Sequence, residues 1–95
     1  MKKGYIYILS NKSRTVFYVG VTNDLVRRMQ EHKEDQDSPF ARRYRLHDLL
    51  YYEEHPLIRS AIQREKQLKR WHREWKENLI RGVNPDFRDL SGEIR

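Results

Sequence analysis

No cysteine occurs among the 95 residues. Disulfides, thiolate zinc sites and a cysteine nucleophile are excluded together, so a bound metal has to be held by oxygen or imidazole. Long apolar runs are missing too. Nothing in the chain is long enough to span a bilayer, and the opening MKKGYIYILS has neither the apolar core nor the cleavage site of a signal peptide. These absences predict a cytoplasmic protein without a membrane partner. The chain also lacks repeats, low-complexity tracts and any sign of an internal boundary. The expectation is one domain over residues 1–95 with one modest core.

What the chain has in quantity is charge. Charged residues make up 36% of it and hydrophobic residues 37%, which fits a small folded protein with a heavily charged surface. The formal net charge is +6 and the pI about 9.8. A basic balance of this size suits a polyanion, most simply nucleic acid, and suits an ordinary solvated surface equally well. Six tyrosines, three phenylalanines and two tryptophans supply large side chains for a core.

The stretch GYIYILS reads as a strand over Tyr5–Ser10, NKSRT as a turn, and VFYVGVT as a second strand over Val16–Thr22. A short connection implies an antiparallel hairpin. With residues 11–14 as a four-residue loop, Ser10 opposes Thr15 and Tyr7 opposes Tyr18, which places two phenols side by side on one face. Thr22, Asn23 or Asp24 caps the helix that follows. Its stripe is Leu25, Arg28, Met29 and His32, so Arg28 turns inward and Arg27 towards solvent. KEDQDSP reads as a loop, Phe40–Tyr44 as a short helical turn and Asp48–Glu54 as a third strand. Pro56 opens a long helical stretch in which Ala61, Glu65, Leu68, His72, Trp75 and Leu79 recur, with Ile58 and Ile62 widening the apolar side. A break near Trp71–Arg73 splits it and Gly82 ends it. The remaining NPDFRDLSGEIR is irregular, with Phe87 and Leu90 available to pack back. The fold class is α/β, with a small, mainly antiparallel three-stranded sheet flanked by helices.

Two tyrosines, an arginine, a histidine and Glu65 are thus aimed at the interior or at a cleft. An uncompensated arginine or glutamate is costly to bury, so these groups are either paired or line a site. Each also has a purely structural reading. The rings of Tyr7 and Tyr18 can fill the core with their hydroxyls at the rim. Arg28 and Glu65 can form a plain salt bridge, His32 can pack, and Gly20 can merely avoid a clash.

In order and spacing the same residues resemble the GIY-YIG nuclease superfamily. Tyr5-Ile6-Tyr7 matches its Gly-Ile-Tyr motif, with tyrosine in place of glycine, and Tyr18-Val19-Gly20 matches its Tyr-Ile-Gly motif. The family arginine lies ten residues after the second motif's tyrosine, on Arg28, and its histidine or tyrosine four residues later, on His32. The family's metal-binding glutamate matches Glu65 in AIQREKQLKRW. The likeness covers nearly the whole chain and looks closest to short, stand-alone bacterial members, which share the EKQLK and NP.F.DLS style of ending. Val21 stands where some members carry a lysine. A late asparagine near the metal falls on Asn84 or on Asn78, with Asn84 the preferred match.

The resemblance implies an endonuclease that hydrolyses phosphodiester bonds with a divalent cation, magnesium or alternatively manganese, held by Glu65. Arg28 would fork onto phosphate oxygens in a way lysine cannot. Tyr7 or Tyr18 would act as general base, His32 would orient that tyrosine or relay its proton, and Gly20 would support the site. Arg64, Lys66, Lys69, Arg70 and Arg73 are candidate contacts for a nucleic-acid backbone, and equally a solvated helix face. DNA is the expected substrate before RNA, in a setting of repair or recombination. Specificity would come from nucleic-acid structure, from a homodimer or from a partner protein. The alternative is a non-catalytic nucleic-acid-binding module or a partner subunit of a repair complex.

Overall fold

The computed structural model of the chain describes residues 2–34 and 38–94. The middle of the KEDQDSP loop, at 35–37, lies outside the described residues. Strands β1 (Gly4–Ser10), β2 (Phe17–Thr22) and β3 (Asp48–His55) form one antiparallel sheet in the order β2-β1-β3. Helices α1 (Leu25–Lys33) and α2 (Pro39–Arg43) separate β2 from β3, and α3 (Ile58–Lys69) and α4 (Arg73–Val83) follow β3. The α/β class and the three-stranded antiparallel sheet are as the sequence predicts.

β1 sits at the centre because both of its faces are apolar. Ile6 and Ile8 join Val19, Leu50, Ala61, Leu68 and Ile80 in a core under α3 and α4. Tyr7 and Leu9 join Leu25, Met29, Ala41, Leu46 and Leu49 in a second core under α1 and α2. Period-two alternation along one strand therefore feeds two layers. On the β3 side the register slips between Ile8 and Leu9. Ile8 opposes Tyr51 and Leu9 opposes Leu49, which leaves Leu50 as a bulge residue. That extra residue lets neighbouring Leu49 and Leu50 serve opposite cores while Leu50 and Tyr51 serve the same one.

The hairpin register differs from the expected one. Ser10 pairs with Phe17, not Thr15, so Tyr7 opposes Gly20 and Tyr18 opposes Leu9. Asn11 is the reason. Its side-chain carbonyl accepts from the Thr15 and Val16 amides at 3.0 and 3.1 Å, and its amide donates to Thr15 Oγ1 at 2.7 Å. Those two amides are lost to the ladder, and the loop lengthens. The slip is by two residues, so each side chain keeps its face.

The long helical stretch does break, at Arg70–His72, but its stripe does not continue across the break. His72 is exposed, Trp75 is 53% exposed, and Ile80 is the buried residue of α4. Ile62 on α3 is exposed as well. The bend at the break rotates α4 out of phase with α3. Gly82 does not end the helix, which runs on to Val83 and is capped by Asn84. Phe87 and Leu90 pack back as expected, Phe87 on the α3–α4 side and Leu90 on the α1–α2 side.

Candidate active site

Tyr7 is presented by the central strand and is 1% exposed. Its phenol lies over Gly20 on β2. A Cβ at position 20 would fall 2.4 Å from both the Cζ and the hydroxyl of Tyr7, so only glycine leaves room for the ring. Position 20 thus has a reason sharper than a general strand–helix clash.

α1 brings the other groups. Asp24 caps it by accepting from the Arg27 amide at 3.1 Å. That start fixes the helical phase: Leu25, Met29 and His32 are buried, Arg28 is half-buried and Arg27 is exposed. The inward arginine is Arg28, as the stripe predicts. Its Nε donates to the Tyr7 hydroxyl at 3.3 Å, and His32 Nε2 stands 3.3 Å from the same oxygen. Tyr18, on the same face of the sheet, completes a cluster of rings. Its centroid is 6.4 Å from that of Tyr7 and 6.4 Å from that of His32, and the Tyr7 and His32 rings meet edge-on at 5.6 Å.

The carboxylate partner of Arg28 is Glu31, one turn on at 3.1 Å, and not Glu65. The hydrogen bond to Tyr7 is the main cause that raises Arg28 above the ordinary guanidinium value; desolvation opposes it and Glu31 adds to it. The guanidinium is thus tied to Tyr7 through Nε and to Glu31 through Nη1, with a third of the side chain exposed.

Glu65 comes from α3, and its side chain is 15% exposed. Lys69, one turn along, lies 3.3 Å from its carboxylate and also 6.0 Å from the centroid of the Tyr18 ring. One lysine thus links the acid on α3 to the tyrosine on β2. No group of three or more histidine, aspartate or glutamate side chains stands together among the described residues. A single hard oxygen ligand with a displaceable lysine as counter-ion fits a divalent cation that keeps most of its waters and shares a substrate phosphate. It does not fit a caged structural ion.

The proposed backbone contacts divide. Lys66 and Arg70 are exposed, as expected. Arg64 is not outward. It grips Glu53 on β3 through Nε and Nη2 at 3.1 Å each and lies over the Trp71 ring at 5.2 Å. Arg73 is exposed but committed to the hairpin: it stacks 4.0 Å over Phe17, donates to the Thr15 and Arg14 carbonyls and pairs with Glu77. Asn84 is 3% exposed, and its amide is occupied by backbone, donating to Leu50 O and Arg88 O and accepting from the Arg88 amide. Asn78 is exposed and accepts from Arg81.

Some interactions have no signal in the sequence. Glu53 gathers Arg64, His55 and Tyr51, whose hydroxyl donates to it. Burial raises the Glu53 carboxyl, but its three hydrogen-bond partners outweigh that and hold it below the ordinary value; burial and Glu53 together push Tyr51 well up. Arg64 lies eleven positions from Glu53, so no helical or strand spacing announces the pair. The Glu31 and Lys69 contacts, by contrast, carry plain i+3 and i+4 signals.

The structure thus gathers Tyr7, Tyr18, Arg28 and His32, the residues that carry the GIY-YIG resemblance, on one side of the sheet. The family model described as the GIY-YIG catalytic domain matches residues 3–78, and the chain belongs to that family, a nuclease superfamily whose members generally use divalent metals. Its relatives are short. A UPF0213 protein of Bacillus pumilus is 33% identical over 76 residues, covering 80% of this chain and 76% of that one. A UPF0213 protein of Natronomonas pharaonis is 32% identical over 76 residues, covering 80% and 88%. The solution NMR structure of a UPF0213 protein from Bacillus halodurans matches with a TM-score of 0.56 and 26% identity, over 90% of this chain and 89% of that one.

Proposed function

We propose that this protein is a magnesium-dependent endonuclease that hydrolyses phosphodiester bonds in DNA, choosing its sites by nucleic-acid structure and serving repair or recombination. The observation that carries the reading is the Tyr7 hydroxyl held between Arg28 Nε and His32 Nε2, each at 3.3 Å. Burial opposes charge on the phenol oxygen, the Arg28 guanidinium that donates to it offsets that cost, and the imidazole beside it gives the proton somewhere to go. Of the two candidate tyrosines, Tyr7 is the one with both partners, so Tyr7 is the proton acceptor for the attacking water. His32 orients the phenol and relays the proton. Tyr18 walls the site. Arg28 holds the phosphate and stabilises the charge that develops on it. Gly20 keeps the phenol seated. Magnesium, or manganese in its place, would be held by Glu65 and would supply charge neutralisation at the phosphate. Lys66, Arg70 and Lys69 track the backbone. Asn84 supports the site indirectly, by fixing the chain after α4 against β3.

The test is cleavage of labelled single-stranded, duplex, flapped and branched DNA, and of the matching RNA, with magnesium and then with chelator. Tyr7→Phe and Arg28→Ala are expected to lower the rate by about 10²-fold or more, the scale of a lost general base or oxyanion donor. Glu65→Gln is expected to abolish metal-dependent cutting with thermal stability nearly unchanged. Undiminished cutting by Glu65→Gln would place the metal elsewhere. Binding without cutting, under all metals, would favour a non-catalytic module.

A further inference from the structure

α2 is a helix of five residues, Pro39–Arg43, capped by Ser38, whose hydroxyl accepts from the Ala41 amide at 3.2 Å. Ala41 and, just beyond the helix, Leu46 are 1% and 0% exposed and anchor the segment in the α1–α2 core. With those anchors in place, two large rings remain outside: Phe40 is 48% exposed and Tyr44 39%. They are not scattered. Phe40 lies 6.0 Å from the ring of Tyr18, and Tyr44 lies 4.8 Å from Phe40. Tyr18 in turn is 6.4 Å from Tyr7. A continuous line of rings therefore leaves the proposed active site and runs out over the surface.

The line is cationic along its length. Residues 38–47 contain Arg42, Arg43 and Arg45, all exposed, and no acid. The Arg43 guanidinium sits 5.6 Å over the Tyr44 ring. Past Tyr44 the surface falls into a recess lined by Asn11, Lys12, Ser13, Tyr44, Arg45 and His47. Aromatic faces interleaved with arginines are the chemistry that grips unpaired nucleotides, the rings taking bases and the cations taking phosphates. A duplex has no free base faces to offer such a surface.

We infer that Tyr18, Phe40 and Tyr44 form a stacking track for unpaired nucleotides, so that the strand to be cut is single-stranded on one side of the scissile phosphate. The inference rests on the hydrolytic reading of the Tyr7 site and deepens it, by naming the substrate as a strand with an unpaired arm. Stacking reads base faces and is indifferent to the sugar.

The experiment has two readouts. Fluorescence anisotropy in chelator measures binding of short labelled DNA as single strand, blunt duplex and duplex with an overhang, with an RNA single strand of the same sequence alongside. Single-strand and overhang binding is expected to exceed blunt-duplex binding. Phe40→Ala and Tyr44→Ala are expected each to weaken single-strand binding about tenfold, to leave duplex binding unchanged, and to leave thermal unfolding unchanged because both rings are exposed. Phe40→Trp is expected to retain affinity. Equal losses on single strand and duplex, or no loss on either, overturn the track. The second readout is cleavage with magnesium. If the wild-type protein cuts overhang substrates and the double alanine variant cuts them equally well, the track falls and the hydrolytic reading stands. If no substrate is cut while single-strand binding depends on Phe40 and Tyr44, the hydrolytic reading falls and the track stands as a binding surface.

Discussion

A methyl group at position 20 has nowhere to go but into the Tyr7 phenol. Gly20→Ala is therefore expected to push the hydroxyl away from Arg28 and His32 and to lower cleavage at least 10²-fold, since small misplacements of a reacting group are costly. Overpacking adds a stability loss of about 1–3 kcal/mol. Kinetics and thermal unfolding on the same sample check both, and a fully active Gly20→Ala protein would show that the phenol is not the group that acts. At this scale the sequence is highly legible. Helical phase alone separates Arg28 from Arg27, because one face of α1 is apolar and a capped start fixes its rotation. Helical spacing also offers Arg28 its partner Glu31 and Glu65 its partner Lys69, whereas the Arg64–Glu53 pair, formed between two elements, has no spacing to announce it.

Element boundaries and strand direction follow the pattern closely, while the hairpin register and the phase of α4 do not. The hairpin slipped by two because one side chain, Asn11, took two amides that a ladder would have used. α4 departed from the α3 stripe because a bend resets helical phase, and the sequence carries the bend without its angle. The chain after α4 is held by polar groups that no periodicity encodes. Leu90 N donates to Leu49 O at 2.7 Å, and Asp89 accepts from the Leu49 amide and from Lys33. Burial opposes ionisation of Asp89, but Lys33 and the Leu49 and Ser91 amides outweigh it and pull its carboxyl down to about 2. Unfolding restores the ordinary carboxylate value. The stabilisation is therefore complete above that value and fades as pH falls from it towards 2. Asp89→Asn is expected to cost about 1–2 kcal/mol near neutral pH, with the difference from wild type shrinking in strong acid. Thermal unfolding across pH measures it, and a deficit independent of pH would assign the loss to shape instead of charge.

Across the molecule, a net charge of +6 is unevenly employed. Arg64 and Arg73 are tied to Glu53 and to the hairpin, whereas Lys66 and Arg70 face outward. Binding of duplex DNA is expected to fall steeply with salt, and Lys66→Ala and Arg70→Ala are each expected to flatten the log–log slope by about one. Arg64→Ala is expected instead to lower the melting temperature, because it removes the arginine from half-buried Glu53 and leaves it to Tyr51 and His55. A slope unchanged by Lys66→Ala and Arg70→Ala would move the backbone track to another face. Overall charge was readable from composition. Its division between structural and available cations was not, because it depends on partners brought together by the fold.

The Tyr7 hydroxyl depends on two residues that lie 21 and 25 positions away along the chain and belong to a different element. Until α1 has settled against the sheet, the phenol has neither its cation nor its imidazole. A chain with α1 undocked keeps its net charge of +6 but lacks the arrangement on which the proposed hydrolysis rests. If Tyr7 is the group that acts, activity follows the docking of α1 on the sheet, and not merely the presence of a tyrosine, an arginine and a histidine in the chain.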